Sequence, residues 1–265
     1  MNSSLGIIIS FCTNELCFID AVLREASLIS NDIVVSYGDK FFNGEDQDLS
    51  FLDEYTKKYP HVKWAQYNID VNADKRLPNG KINTLYYFCL TRWAAIQKLD
   101  DSSKWVLVID ADEIPEGVKF NQLYKSLNPQ SDHCYKIGCY WYYKDVKFQA
   151  KNYEDSILLI EKNQLVESNV FTEHDRDGMY QTIPRNLIHK NIMGEDKLPV
   201  FHHFSFVRKG KEGLEKKLVN WGHLDLLNCS PEAFANYIHT QDNIVRDPIH
   251  NYTYNIVENI FNIQI

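Results

Sequence analysis

The sequence predicts an α/β fold, a parallel Rossmann-like first half joined to a mixed or antiparallel second half, within one 265-residue unit. Three observations carry this. Short apolar runs alternate with helical patterns over the first hundred residues. Those runs are apolar at nearly every position, as strands covered on both faces must be. After Pro115 the strand patterns follow one another without a helix of comparable length between them. A hydrophobic content of 44% is enough for one substantial core, so a single domain over residues 1–265 is expected, with halves 1–115 and 116–265.

Leu5–Phe11 reads as the first buried strand. Asn14 and Glu15 open a helix in which Phe18, Ala21, Val22, Leu23 and Ala26 recur at roughly helical spacing up to Ile29, and Asn31-Asp32 break it. Ile33–Tyr37 is the second strand, closing at Gly38-Asp39. A polar loop, Lys40–Asp48, leads into a helix over Leu49–Tyr59, which Pro60 stops. Val62–Tyr67 alternates as a third strand. Asn83–Leu99 is a helix with Leu85, Cys89, Trp93 and Ile96 on one stripe, and Trp105–Ile109 is the fourth strand. In the second half Cys139–Tyr143, Ser156–Ile160 and Leu198–Val207 read as strands, followed by a charged helix from Lys211 to Trp221.

A formal net charge of −8 opposes a nucleic-acid backbone or an anionic membrane at long range, so no nucleic-acid partner is expected. No run approaches the ~20 apolar residues of a membrane span, and no secretory leader pattern is seen, so a cytoplasmic location is expected. Six cysteines without zinc-like spacing read as reduced thiols filling core space. The 16 Tyr and 14 Phe suit a sugar-binding or base-stacking cleft as well as a Tyr-rich core.

In an open α/β sheet the ligand sits at the carboxyl ends of the parallel strands, and the fourth strand releases its chain there as Asp110-Ala111-Asp112-Glu113-Ile114-Pro115. If the chain stays extended, alternation points Asp110 and Asp112 the same way, so one hard divalent cation can bridge them. The alternative is an acidic loop capping the next helix. Arg92 falls on the helix stripe between Cys89 and Ile96, where a guanidinium needs an anion: a diphosphate, or an acid of the cluster. Cys12, Thr13, Asn14 and Glu15 after the first strand, and Asp39 after the second, are placed to hold a base and ribose, with helix capping as the plain alternative. No Gly-x-Gly-x-x-Gly or Walker pattern is present, which leaves a metal as the phosphate anchor. Of His202, His203 and His223, the adjacent pair must face opposite ways, so at most one of them reaches the site as a further metal ligand.

At these residues the chain resembles a known family. Val108–Pro115 is similar to the Asp-x-Asp-Glu-Ile-Pro signature of the bisecting β-1,4-N-acetylglucosaminyltransferases, glycosyltransferase family 17. Met179–Asn186 resembles that family's Tyr-Thr-Met-Pro region. His203-Phe204-Ser205-Phe206 and Lys217-Leu218 resemble its His-Cys-Ser-Trp segment and the Lys-Leu beyond it. The first half resembles the general family-2-like GT-A pattern. The chain departs from the eukaryotic members in being shorter and in showing no membrane anchor.

The resemblance implies a GT-A fold, with residues 1–115 binding a UDP- or GDP-sugar and 116–265 binding a glycan or glycoconjugate acceptor. It implies metal-dependent transfer to an acceptor hydroxyl with inversion, on Mn2+ or Mg2+ held by Asp110, Asp112 and His203. Arg92, Asp110, Ala111 and Asp112 join the residues after the first two strands in binding the nucleotide-sugar. Trp141 and Tyr142, with Tyr143, are the expected acceptor wall, a half-buried aromatic strand being the alternative. Glu173 and Asp175 are the first candidates for the base, with Asp145 and Glu154 behind them. Asp112→Ala is expected to abolish metal-dependent donor binding and to leave the fold intact. Two other readings stand beside this one: a sugar-phosphate nucleotidyltransferase, which would usually carry a glycine-rich loop where this chain has Cys12-Thr13-Asn14-Glu15, and a catalytically inactive carbohydrate-binding module.

Overall fold

The computed structural model describes residues 4–70, 84–172, 175–182, 188–220, 229–240 and 250–265. The first half forms as its patterning predicts: β1 (Leu5–Phe11), α1 (Leu16–Ile29), β2 (Asp32–Gly38), α2 (Leu52–Lys58), β3 (Val62–Tyr67), α3 (Thr84–Ile96) and β4 (Trp105–Asp110). The four strands are parallel in the order β3-β2-β1-β4. Alternate residues feed the two faces: Ile7, Ile9, Leu107 and Ile109 pack on the side of α1, while Ile8, Val106 and Val108 pack on the side of α3. This double burial is why the strands read as continuous apolar runs.

Four elements follow: β5 (Glu113–Pro115), α4 (Gly117–Leu127), β6 (His133–Tyr143) and β7 (Phe148–Glu161). Helix α4 was not legible in the sequence as a separate element; it packs against α1, with Phe120, Leu123 and Tyr124 buried. Strands β6 and β7 run well beyond the predicted cores because polar residues such as Lys151 and Asn152 stay exposed within them. β7 is antiparallel to both β4 and β6, so the sheet turns from parallel to mixed where the pattern changes.

The chain continues through α5 (Glu167–Val170), α6 (Asp175–Thr182), β8 (Ile188–Ile192), β9 (Phe201–Phe206), α7 (Gly210–Val219), α8 (Pro231–Thr240) and β10 (Tyr254–Ile256). β9 lies between β6 and β5, which returns the chain to the acidic turn after β4. No helix among the described residues is long and apolar enough to cross a membrane.

Candidate active site

A cavity of about 420 Å³ opens at the carboxyl ends of β1, β2 and β4. The expected ligand edge is thus a real concavity, and it extends across the sheet to β6, β7 and β9. Its wall includes Cys12, Asn14 and Glu15 from the turn after β1, Asp110 and Asp112 from the end of β4, Trp141 from β6 and His203 from β9.

The acidic turn is fixed by its backbone. The Ala111 N–H donates to Ser10 O at 2.9 Å, and the Asp112 carbonyl accepts from Phe204 N–H at 2.8 Å. The chain turns between Asp110 and Glu113 and does not run on extended. Asp110 keeps the parity of Val106 and Val108 and therefore faces α3, where Arg92 Nη2 lies 3.4 Å from its Oδ1. Arg176 on α6 approaches its other oxygen at 3.5 Å. Asp112, 1% exposed, accepts on Oδ2 from Arg208 Nη2 at 2.9 Å and from Lys217 Nζ at 3.2 Å. Both cations also reach Glu15 Oε1, Lys217 at 2.6 Å and Arg208 at 3.2 Å. Glu113 is fully buried and takes a bidentate contact from Arg176 at 2.5 and 2.7 Å, plus the Asp110 N–H at 2.8 Å.

Four carboxylates therefore meet four cations: Glu15, Asp110, Asp112 and Glu113 against Arg92, Arg176, Arg208 and Lys217. Burial pushes Asp112 up, but Lys217, Arg208 and His203 outweigh it and hold the carboxyl well below its ordinary value. Asp110 behaves likewise: burial raises it, and Arg176 with Arg92 brings it down. For Glu15 burial wins and its pKa rises, with Asp112 adding to the rise against the pull of Lys217 and Arg208. Burial lowers Lys217, yet Asp112 and Glu15 raise it overall, so it is a firm cation.

Asp112 is a structural counter-ion for Arg208 and Lys217, so its removal leaves buried charge uncompensated and cannot be silent in stability.

The remaining sequence candidates divide. Cys12, Asn14 and Glu15 line the cavity, and burial pushes the Cys12 thiol up to about 12, so it packs there as a neutral group. Thr13 does not line it; its N–H donates to Gln47 Oε1 at 2.8 Å and ties the turn to the 39–48 loop. Asp39 does not line it either, because its carboxylate accepts the Ile69 N–H at 2.8 Å and builds the end of β3. Arg92 lies behind Asp110, and buried Ala111 contributes backbone only. Trp141 lines the cavity, but Tyr142 faces the opposite side of β6, as alternation requires. Its hydroxyl is hydrogen-bonded to His202 Nδ1 at 2.7 Å and its ring stacks on Phe204 in the core, so it is no part of an acceptor wall.

The histidine pair splits as expected: His203 lines the cavity, while His202 is buried with Tyr142 and Glu116. His223, Glu173 and residues 183–186 of the Met179–Asn186 stretch lie outside the described residues. Asp175 opens α6. Asp145 holds the 144–147 turn by accepting the Lys147 N–H at 2.9 Å and is not in the cavity wall. Sequence reasoning did not single out Arg208 or Arg176, nor the role of Lys217. Lys217 sits in an ordinary charged helix, and Arg176 follows directly after Asp175, where only the acids suggested a role.

The second-strand end of the cavity is aromatic, with Phe41, Phe42 and Tyr67, and the 39–48 loop is braced on α7. Lys216 Nζ lies 4.3 Å above the Phe41 ring, and the Asn43 N–H donates to Asn220 Oδ1 at 3.2 Å.

Among the described residues no three His, Cys, Asp or Glu side chains are close enough to enclose an ion by themselves. Asp112 Oδ1 and His203 Nε2 face each other across 3.8 Å, and His203 Nδ1 lies 3.9 Å from Glu113 Oε1. The Glu113 oxygen is beyond hydrogen-bond reach, and the buried Nδ1 has no hydrogen-bond partner among the described residues. The pair Asp112 and His203 fits a cation that brings most of its ligands with it as phosphate oxygens and water, the usual way Mg2+ is held beside nucleotides.

No protein-family profile matches the chain, and no curated protein matches it. Among solved structures it is similar to the mannosyltransferase PcManGT from Pyrobaculum calidifontis, solved with GDP-Man and Mn2+, at 10% identity and TM-score 0.48, covering 89% of this chain and 68% of that one. It is similar to residues 1–349 of S. aureus TarS at 9% identity and TM-score 0.45, covering 91% and 73%. It is also similar to a 4-diphosphocytidyl-2C-methyl-D-erythritol synthase from Anaerococcus prevotii at 12% identity and TM-score 0.44, covering 73% and 88%. All three TM-scores are below 0.5.

Proposed function

We propose that this chain is a GT-A-type glycosyltransferase that moves a sugar from a UDP- or GDP-sugar to a hydroxyl of a glycan or glycoconjugate, with inversion. The observation that carries the proposal is the cavity at the ends of the parallel strands, where Asp112 and His203 face one another beside the buried cations Lys217 and Arg208. The resemblance of Val108–Pro115 to the family 17 signature supports the same class.

In this reading the base and ribose lie over Phe41, Phe42 and Tyr67, near Cys12 and Asn14, and the diphosphate lies over Asp112. Asp112 and His203 would hold a divalent ion, Mn2+ or Mg2+, which would supply Lewis-acid stabilisation of the departing diphosphate. Lys217 and Arg208 are already desolvated and aimed at that place, so they add fixed positive charge where negative charge develops. Glu15 keeps both cations in position when Asp112 shifts its contacts from them toward ligand. Trp141 offers an apolar ring to the sugar or acceptor.

The test is titration of the protein with UDP-, GDP- and other nucleotide-sugars, with and without Mn2+, by calorimetry. Binding of one of the first two, strengthened by Mn2+, is expected. Absence of any nucleotide-sugar binding, or release of pyrophosphate on turnover, would overturn it.

A further inference from the structure

We propose that Glu154 is the general base that takes the proton from the acceptor hydroxyl, and that the acceptor's reacting end lies beside Trp141 and His250. This rests on the glycosyltransferase reading above, and it assigns a role for which Glu173 and Asp175 stand first in the sequence.

Among the described residues four carboxylates line the cavity: Glu15, Asp110, Asp112 and Glu154. A base must offer a lone pair that no fixed cation already claims. Glu15 is capped by Lys217 at 2.6 Å and by Arg208 at 3.2 Å. Asp112 shares the same two cations, and Asp110 stands between Arg92 and Arg176. Glu154 is different. Among the described residues it has no arginine or lysine contact, and both its contacts are on one oxygen: Tyr252 donates to Oε1 at 3.2 Å, and His250 Nε2 lies 3.7 Å from it. Its second oxygen, Oε2, has no partner among the described residues, and its side chain is 23% exposed within the cavity wall.

Its position suits the role. Glu154 is on β7, opposite Cys139 in the β6 register, one strand from the wall that carries Trp141. The Trp141 ring packs edge-on between the imidazoles of His203, 4.5 Å away, and His250, 4.7 Å away. One wall thus runs from Asp112 through His203, Trp141 and His250 to Glu154, with the leaving-group charges at one end and the unclaimed carboxylate at the other. An in-line displacement needs this separation, because the nucleophile must approach the anomeric carbon from the side opposite the diphosphate.

The step balances. The acceptor O–H proton passes to Glu154 Oε2 as the acceptor oxygen bonds to the anomeric carbon. The bond from that carbon to the β-phosphate oxygen breaks, and the nucleoside diphosphate leaves with the electron pair. Tyr252 and His250 hold Oε1 and so aim Oε2; they are positioning residues.

The experiment uses the full chain with the UDP- or GDP-sugar that the parent binds, and follows nucleotide release with a panel of methyl glycosides and with water as acceptors. Glu154→Gln should bind the nucleotide within about twofold of the parent and lose about 10²- to 10⁴-fold in kcat, the usual contribution of a general base. Sodium formate should restore part of the rate to Glu154→Ala, which has space for it, and none to Glu154→Gln. A Glu154→Gln rate within threefold of the parent overturns the assignment. So does loss of nucleotide binding together with turnover, which marks a structural role. If the parent binds no UDP or GDP, the glycosyltransferase reading falls and this one falls with it.

Discussion

Replacing Asp112 by asparagine removes a buried negative charge from between Arg208 and Lys217, which contact it at 2.9 and 3.2 Å. Breaking a buried ion pair from one side costs about 3–5 kcal/mol because the other partner is left uncompensated. Glu15 still holds both cations, at 3.2 and 2.6 Å, so the lower end applies, about 3 kcal/mol. At about 2–4 °C per kcal/mol for a chain of this size, the midpoint of thermal unfolding falls by about 6–12 °C. Scanning fluorimetry reads this directly. The orphaned cations should also attract an anion. Pyrophosphate without metal, at about 100 times its Kd, returns about 2.7 kcal/mol to the variant by mass action and less to the parent, whose cations are occupied. A midpoint within 2 °C of the parent, with no preferential rescue by pyrophosphate, would refute the view that Asp112 neutralises the phosphate-facing cations.

Further predictions follow from the same geometry. Glu113→Gln breaks the bidentate contact with Arg176 at a fully buried position and should lower the unfolding midpoint at least as far as Asp112→Asn. A Cβ at Gly117 would lie 2.5 Å from the Glu25 backbone carbonyl where α4 meets α1, so Gly117→Ala should destabilise by about 1–3 kcal/mol in denaturant unfolding. Gly213 in α7 has no neighbour closer than 3.5 Å to such a Cβ, so Gly213→Ala should stabilise by about 0.5–1 kcal/mol. Tyr142→Phe should cost about 1–3 kcal/mol through the lost hydroxyl contact with His202 and leave nucleotide affinity and kcat unchanged, whereas Trp141→Ala should raise the KM for acceptor. Kinetics on both variants separate the two faces of β6.

The parallel half was legible because double burial writes itself as uninterrupted apolar runs: Ile7–Ile9 and Val106–Ile109 needed no tertiary information. The full length of β7 was not, since exposed residues such as Asn152 carry no hydrophobic signal and its first residues, Phe148–Ala150, pair with β10 far along the chain. The position of the acidic turn at the ligand edge was legible from Asp110 following an apolar strand. Its neutralisation was not: Arg208 and Lys217 lie 96 and 105 residues downstream, and only the return of β9 to β5 brings them under Asp112. Parity along a strand was the more dependable guide, and it separates His203 from His202 and Trp141 from Tyr142. The same rule carried from Val108 to Asp110 turns that carboxylate toward α3 and Arg92; it fails for Asp112 because the chain turns after Asp110.

The central claim is a nucleoside diphosphate held over Asp112 and His203 with a divalent ion, and the most direct test is electron paramagnetic resonance of Mn2+ titrated into the protein with and without UDP or GDP. The account predicts weak Mn2+ binding alone, because no three-ligand cage exists among the described residues, tight binding once the nucleotide is present, and loss of that gain in His203→Ala. Nucleotide binding that is equally tight without Mn2+, or a gain that survives His203→Ala unchanged, would contradict it.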